Sequence, residues 1–429
     1  MMTRRDLVGR TRSYFLGTRP AARWLWPVVC CVAMLAAALV SYEQSTTSMR
    51  TGGPRRVAIR VSCEHSATSC SLAASLAIDV WSEQQGPGLP LDVVVMEDAL
   101  PRLAGAHVPW QVLVPDIDAV AAAEAIRLHD HAIARPGDWF GEYRDYAAIS
   151  AHLKDLAALA PGRVSAMPIG SSIEGRPLWA LRIGGSAPGA TKMMINGTQH
   201  AREWIAAMVT TCVADRLVRG YDSNPAIRAF VDHTELWVVP VVNPDGYQYS
   251  WSGNRYWRKN RRGRHGVDLN RNFLVGWGGP GSSHNTRSEI YAGEYAFSEP
   301  ETSAVRDLVR REHVALHVDF HAYGQLLLYP WGYTSAPAKD RDRFTGMGDR
   351  IASAMFAPHE TRYGLMSSSD LYVAGGTLTD FMYGEATAMS YTIELRPKGG
   401  SGFVLPPDQI RPTCDEGLAA VLALRTAQP

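Results

Sequence analysis

The sequence predicts an α/β protein of two units, a small α/β open sandwich followed by a larger unit with a mixed central β-sheet flanked by helices. Three observations support this fold class. The chain has 429 residues, more than one ordinary domain contains. Strand-like and helix-like apolar segments alternate from about residue 137 onward, as in a parallel or mixed sheet covered on both faces. A shorter pattern of strand, helix, strand and strand precedes them.

The small unit has three β-rich runs, at Val57–Val61, Leu91–Met96 and Trp110–Pro115. Between the first two runs, Leu72, Leu76 and Val80 recur at the four-residue spacing of one helical face. The predicted bounds are residues 57–117 for the small unit, 118–136 for an Ala-rich connecting helix and the region after it, and 137–429 for the larger unit.

The N-terminus has the composition of a membrane-targeting segment. Residues 1–23 contain six arginines and one acid, and the uncharged run 24–42 follows. By the positive-inside rule, this arrangement carries everything after the run across the membrane. Both a cleaved signal peptide and a retained anchor fit the length of the run, whereas the arginines disfavour a buried core helix. We therefore expect an exported protein, secreted or membrane-anchored, that contacts the membrane only through this segment and continues through a polar linker at 43–56.

Composition and cysteine usage narrow the function classes. A formal net charge of +1 and 46% hydrophobic residues describe ordinary globular material, and the absence of a basic excess argues against nucleic-acid binding. Among the six cysteines, Cys63 and Cys70 could close a small loop in an oxidising compartment. Cys212 and Cys414 are 202 positions apart, so the sequence leaves their pairing open.

A candidate metal site begins in the segment "NGTQHAREW", where His200 and Glu203 are three residues apart at the start of a predicted helix. That spacing places both on one helical face, and an imidazole with a carboxylate supplies two of the ligands that catalytic zinc commonly takes. An ordinary solvated helix start shows the same pair. A further histidine could come from the strand "VALHVDFH", but His317 and His321 lie on the same side of it, so the alternation does not choose between them.

Seven motifs of the larger unit occur in an order that resembles the pancreatic-type zinc metallocarboxypeptidases, the A/B-like family. They are "HAREW", "NPDGY", "NRYWRKNRR", "GVDLNRNF", "HAYGQLLLYPWGY", "SDLYVAGGTLTDF" and "YTIELRP". The resemblance covers the chain from about Gly137 to the C-terminus. It implies a carboxypeptidase-like sheet, one Zn²⁺, and hydrolysis of single residues from the C-termini of peptides and proteins.

Carried over by motif, the resemblance implies that His200, Glu203 and His321 bind the zinc and that Asp268 orients His200. Carboxylates behind histidine ligands fix the imidazole tautomer.

The resemblance also implies two residues that act on the reacting groups. Glu394 would be the general base that activates water, and Arg258 would stabilise the oxyanion. A buried ion pair with a neighbouring arginine is the alternative for Glu394.

For the substrate, the resemblance implies that Asn270 and Arg271 bind the terminal carboxylate, because a planar guanidinium matches a carboxylate in two parallel hydrogen bonds. Tyr372 would close over the substrate, Tyr323 would line a neighbouring subsite, and Arg202 would be an outer contact. A surface role is the alternative for Arg202.

Side-chain preference depends on the loop after Tyr372. In this family the residue at the base of the specificity pocket is apolar in A-type and acidic in B-type enzymes, and the matching position here is Thr379. A neutral residue predicts apolar or aromatic C-terminal residues. The loop "AGGTLTD" departs slightly from the family's pattern, so Leu378 or Asp380 could stand at the base instead.

The small unit is similar in its strand and helix order to the inhibitory activation segment of this family, which predicts a zymogen activated by a protease, for example a trypsin-like one. Arg127 is the preferred site, because Arg135 precedes a proline. An unrelated binding domain is the alternative for this unit.

For the whole chain, the alternative functions are a cell-wall peptide carboxypeptidase, a deacylase on the same fold, or a catalytically silent peptide-binding homologue. A serine hydrolase is disfavoured because the sequence lacks a Gly-x-Ser-x-Gly motif.

Overall fold

The computed structural model describes residues 54–62, 67–82, 90–134, 137–185, 187–400 and 402–427. The predicted basic segment, the apolar run 24–42 and Cys63 lie outside these residues. Within the described part, none of the helices combines the length and apolarity that a membrane crossing requires. Residues from Arg55 onward cluster as one unit, which contains two separate sheets.

The first sheet is antiparallel and has the strand order β2-β3-β1-β4. Its elements are β1 (Arg56–Val61), α1 (Ala67–Leu76), β2 (Ala77–Val80), β3 (Leu91–Met96), α2 (Leu100–Gly105) and β4 (Trp110–Val114), followed by the connecting helix α3 (Ile117–Ala134). The prediction that Val80 continues the first helix is wrong, because α1 ends at Leu76 and Val80 lies on β2. Pairing with β3 outweighs the helical spacing of this short segment.

The second sheet has eight strands in the order β11-β10-β12-β9-β7-β8-β6-β5. They are β5 (Val164–Ser171), β6 (Pro177–Gly184), β7 (Thr191–Gly197), β8 (Thr234–Val239), β9 (Leu316–Ala322), β10 (Leu326–Tyr329), β11 (Gly364–Ser367) and β12 (Met389–Leu395). The central neighbours β12-β9-β7-β8 are parallel and the outer pairings are mostly antiparallel, which confirms the predicted mixed sheet.

Helices cover both faces of this sheet, as the alternating pattern predicts. They are α4 (Tyr146–Leu159), α5 (Trp204–Gly220), α6 (Pro225–His233), α7 (Pro244–Ser252), α8 (Pro300–Glu312), α9 (Arg341–His359), α10 (Ser368–Leu371), α11 (Leu378–Gly384) and α12 (Ile410–Thr426). Helices α4, α5, α6, α9 and α12 contribute to the core on one face, and α8 and α11 to the core on the other. Cys212 on α5 and Cys414 on α12 form a disulfide with a Cα–Cα distance of 6.0 Å, which settles the pairing that the sequence leaves open.

Three neighbouring parallel strands end at the same edge of the sheet. β7 ends at Gly197, β9 at Ala322 and β12 at Leu395. In open α/β sheets, ligands bind outside the carboxyl ends of such strands. The candidate site lies at this edge because the motifs of the sequence follow or end these strands.

Candidate active site

Three buried side chains at this edge form a compact group that could hold a metal. One potential ligand atom from each of His200, Glu203 and His321 lies within 4.8 Å of the others. Glu203 Oε1 lies 2.8 Å from His200 Nδ1, and Glu203 Oε2 lies 3.1 Å from His321 Nδ1. The two Nδ1 atoms are themselves 3.1 Å apart. Two imidazole nitrogens and a carboxylate facing one another in this way match the ligands of a catalytic zinc site.

The pair His200 and Glu203 comes from a turn and not from a helical face, so that part of the sequence interpretation is wrong. Glu203 has φ −88° and ψ 62° and precedes the first residue of α5, Trp204. Asn243 holds this turn, because its Nδ2 donates to Gln199 O and Lys259 O at 3.0 Å each. The turn that carries the ligands is thereby joined to the segment that carries Arg258.

The two histidines of β9 have different surroundings. His317 contacts Ser390 Oγ through Nδ1 and Asn196 Oδ1 through Nε2, at 2.7 Å each. Burial lowers the pKa of His317 to about 4, so its ring is neutral near pH 7. His321, four residues later, faces Glu203 and joins the group.

A carboxylate lies behind each of the two histidines. Asp268 Oδ1 lies 3.2 Å from His200 Nε2, as the resemblance implies, and Arg258 Nη2 donates to Asp268 Oδ2 at 2.8 Å. Asp319 Oδ2 lies 3.0 Å from His321 Nε2, in a contact bent from the ideal hydrogen-bond line. Sequence reasoning missed Asp319, although its position two residues before His321 puts it on the same side of the strand.

Two carboxylates of the site stay ionised although they are buried. Burial raises the pKa of Glu203, but the charges of His200 and His321 outweigh burial and hold the pKa at about 2. Burial also opposes ionisation of Asp268, yet Arg258 and Arg271 hold its pKa well below the usual value. The result is a buried, ionised carboxylate between two imidazoles, which fits a divalent metal.

Glu394 lies beside this group because of the strand register. It pairs with His321 across β12 and β9. It also lines a cavity of about 250 Å³ together with Tyr323 and Tyr372. The neighbouring arginine just after this strand, Arg396, forms an ion pair with Glu416.

The residues expected to bind the substrate's carboxylate lie on loops. Arg271 is buried, its Nε donates to Gly281 O at 2.9 Å, and its guanidinium carbon lies 5.8 Å from the centre of the Tyr372 ring. Asn270 Oδ1 accepts the Leu378 N–H at 2.9 Å, which ties it to the loop after Tyr372.

A glycine allows this loop to approach Arg271. Gly376 has φ +79°, and a Cβ there would lie 2.2 Å from the carbonyl oxygen of Arg271. Only glycine adopts this backbone conformation without strain and leaves room for that contact.

The three candidates for the base of the specificity pocket have different surroundings. Thr379 Oγ1 lies 2.5 Å from Oγ1 of Thr392, two residues before Glu394 on β12. Asp380 accepts the N–H groups of Gly332 and Tyr333, and burial raises the pKa of Asp380 to about 7. Leu378 is the first residue of α11, and its side chain is fully buried in the core.

Residues of the first sheet reach the mouth of the cavity. Arg202 Nη1 lies 3.3 Å from Asp79 Oδ2, and Arg202 also stacks on Phe403. Tyr323 donates its hydroxyl to Asp92 Oδ2 at 2.9 Å. Asp92 lines the same cavity as Glu394, so the first sheet covers the entrance to the site.

The connecting helix makes a second contact with the larger unit. Glu124 pairs with Arg255, and both side chains are buried. Arg127 lies inside α3, and its Nε donates to Glu142 Oε2 at 2.8 Å. Cleavage at Arg127 therefore requires this helix to unwind locally, whereas Arg135 lies outside the described residues.

A buried His-Glu-His group at the carboxyl edge of a mixed sheet, with an arginine on a neighbouring loop, defines a metallocarboxypeptidase-type site. The chain belongs to the zinc carboxypeptidase family, peptidase M14, which residues 149–420 match. The chain is therefore an enzyme of the metallocarboxypeptidase class.

Relatives and solved structures agree with the family and extend over the small unit. The chain is 33% identical to metallocarboxypeptidase A of Arthroderma otae, over 83% of this chain and 88% of that protein. It is 32% identical to carboxypeptidase A4 of Mus musculus, over 80% and 84% respectively. The structure of thrombin-activatable fibrinolysis inhibitor aligns with a TM-score of 0.80 at 29% identity, over 87% of this chain and 98% of that one. Carboxypeptidase A of Helicoverpa armigera aligns with a TM-score of 0.79 at 27% identity, over 87% and 97%.

Proposed function

We propose that the chain is a zinc-dependent exopeptidase that hydrolyses the C-terminal peptide bond of peptides and proteins and releases single amino acids, preferably apolar or aromatic ones. The observation that carries this proposal is the position of Arg271. Its buried guanidinium lies on the loop beside the metal-binding group, with Tyr372 next to it. A fixed cation at this place recognises a chain end and excludes the middle of a chain, which has no carboxylate to offer.

His200, Glu203 and His321 would hold the zinc. When bound, the ion supplies Lewis acidity that polarises the scissile carbonyl and acidifies a water molecule. Asp268 holds the far side of the His200 ring, so that its Nδ1 is directed at the ligand group.

Glu394 has the position of a general base. It lines the cavity beside the metal-binding group, so its carboxylate can take a proton from the attacking water and pass it to the leaving amine. Arg258 donates to the oxyanion that develops on the carbonyl. In the structure, the second carboxylate oxygen of Asp268 accepts a hydrogen bond from this guanidinium and holds it in place.

The remaining residues select the substrate. Asn270 and Arg271 bind the terminal carboxylate, Tyr372 closes over it, and Tyr323 and Arg202 contact the preceding part of the peptide. Thr379, which is neutral and meets Thr392, accepts an apolar or aromatic side chain better than a cationic one.

We further propose that the first sheet and α3 form an inhibitory pro-domain of a zymogen that is exported and then activated by a protease that cuts at Arg127. Two contacts of the first sheet and one disulfide support this. Asp79 and Asp92 pair with Arg202 and Tyr323, which would otherwise contact substrate. The Cys212–Cys414 disulfide is typical of an oxidising compartment.

The proposal is tested on protein freed of its N-terminal segment, both uncut and trimmed by a trypsin-like protease. We expect one zinc per chain, loss of activity with a chelator, and higher activity after trimming. Free-acid peptides ending in Phe or Leu should be cleaved faster than those ending in Lys or Arg, and amidated peptides slowest. Active protein without zinc would refute the metal assignment. Uncut protein as active as trimmed protein would refute the zymogen role alone.

A further inference from the structure

A row of buried polar side chains crosses the centre of the second sheet behind His321. It consists of Ser390 on β12, His317 and Asp319 on β9, and Asn196 on β7, all with 0% exposure. Strand register brings them together, because Ser390 pairs with His317 and Asn196 pairs with Asp319 across neighbouring parallel strands. Polar groups in a sheet centre cost stability unless each is hydrogen-bonded, so their arrangement calls for an explanation.

All hydrogen bonds in this row of side chains point the same way, with each donor on the Ser390 side and each acceptor on the Asp319 side. A carboxylate only accepts, so the 2.7 Å contact between Asn196 Nδ2 and Asp319 Oδ1 makes the amide the donor. Asn196 Oδ1 then accepts from His317 Nε2–H, which leaves His317 Nδ1 to accept from the Ser390 hydroxyl. Each side chain therefore orients the next one through a hydrogen bond, and the row ends at Asp319.

Asp319 is also held on its second oxygen. Gln199 Nε2 donates to Asp319 Oδ2 at 2.6 Å, and the same oxygen lies 3.0 Å from His321 Nε2. Gln199 directly precedes the ligand His200. The carboxylate thus joins the strand that carries one histidine to the turn that carries the other.

We propose that Asp319 is a positioning residue of the metal centre, which holds the N–H of His321 Nε2 and thereby directs the lone pair of Nδ1 at the metal. The proposal rests on the zinc site of the proposed function. It makes Asp319 the counterpart of Asp268, which is hydrogen-bonded to His200, although the 3.0 Å contact from Asp319 to His321 is the more bent of the two.

The two carboxylates differ in the charge of their hydrogen-bond partners. Asp268 is paired with the guanidinium of Arg258 at 2.8 Å, whereas Asp319 is held by the neutral amides of Asn196 and Gln199. No guanidinium lies between the Asp319 carboxylate and His321 among these contacts. Negative charge behind an imidazole raises its basicity as a ligand, and removal of such a partner typically weakens metal binding about 10- to 100-fold.

The test measures zinc affinity of the full chain by equilibrium competition with a chelator. We expect Asp319→Asn to bind zinc about 10- to 100-fold more weakly than the parent, and Asp268→Asn to be weakened as well. Asp245→Asn is the matched control, because Asp245 is an equally buried carboxylate whose partners Ser172 and Arg176 lie outside the site. It should bind zinc as the parent does.

A second measurement separates positioning from a purely structural role. The thermal midpoint is recorded with and without zinc for each variant. A structural role lowers both midpoints of Asp319→Asn equally, whereas the positioning role reduces the stabilisation that zinc adds. If the Asn variant does not fold, Asp319→Ser is used, since its hydroxyl can still accept a hydrogen bond but carries no charge.

Unchanged zinc affinity in a folded Asp319 variant, or an equal loss in Asp245→Asn, would overturn the inference. A parent chain that binds no zinc would instead overturn the proposed function, so the two failures are distinguishable.

Discussion

The site has two sides that are built from different parts of the chain. The metal side consists of His200, Glu203, His321 and Glu394. The terminus side consists of Asn270, Arg271 and Tyr372. On the metal side, His321 and Glu394 lie on paired strands in the middle of the sheet, in register with each other. On the terminus side, the residues lie on loops that meet through the Asn270–Leu378 hydrogen bond and the close approach of Gly376 to Arg271.

This difference teaches that the two tasks of the enzyme depend on different kinds of structural support. Strand register fixes His321 and Glu394 through many backbone hydrogen bonds, whereas His200 and Glu203 lie on a turn that Asn243 holds. The terminus side depends on a few contacts between loops, which can change without disturbing the sheet. We therefore expect substitutions that damage chemistry and substitutions that damage recognition of the chain end to be separable.

The largest effect should come from the metal side. Glu394→Gln removes the base, and proton transfer by a positioned side chain contributes about 100- to 10 000-fold. We expect kcat/KM to fall by that order for free-acid and amidated peptides alike, because the base acts on water whatever the terminus carries. Zinc content should stay that of the parent. A loss confined to free-acid substrates would contradict the role of Glu394 as base.

Arg271→Ala should break the terminus side alone. Removing one partner of a buried charge pair costs roughly 2 to 5 kcal/mol, or about a 30- to several-thousand-fold loss in kcat/KM. The loss should appear with free-acid peptides and largely vanish with amidated ones. Arg182→Ala, which removes a half-exposed ion pair with Glu235 on β6 and β8, serves as the control. An Arg271→Ala enzyme as fast as the parent on free acids would disprove the carboxylate contact.

Gly376→Ala should have the smallest effect and test the loop itself. A left-handed backbone with a side chain costs about 1–2 kcal/mol, and the added Cβ would also meet Arg271 O. We expect about a 10-fold loss in kcat/KM for free-acid peptides, with zinc affinity unchanged. Gly346→Ala is the matched control, since a Cβ there meets nothing within 4 Å. A loss of zinc affinity in Gly376→Ala would show that the two sides are coupled.

The sequence predicted the fold class, but it did not predict how the residues proposed for the metal side are arranged. Alternation of β9 puts His317 and His321 on the same side, so only the family motif selected His321. Asp319 carries the same positional signal, yet it was missed because a carboxylate in a sheet centre is recognised only when its amide partners on other strands are known.

Local patterns also failed where long-range pairing decides the structure. Val80 fits a helical spacing, but β2 pairs with β3 and makes it a strand residue. The spacing of His200 and Glu203 suggested a helix, but hydrogen bonds from Asn243 stabilise a turn. In each case the deciding partner is distant in sequence, and no local window contains it.

The disulfide between α5 and α12 closes a covalent ring from Cys212 to Cys414. This ring contains Arg258, Arg271, His321 and Glu394, while His200 and Glu203 lie just before it. A single nick anywhere inside the ring leaves two fragments that remain tethered to each other. A chain that is cut once in a surface loop inside the ring thus keeps its pieces together for as long as the surroundings stay oxidising.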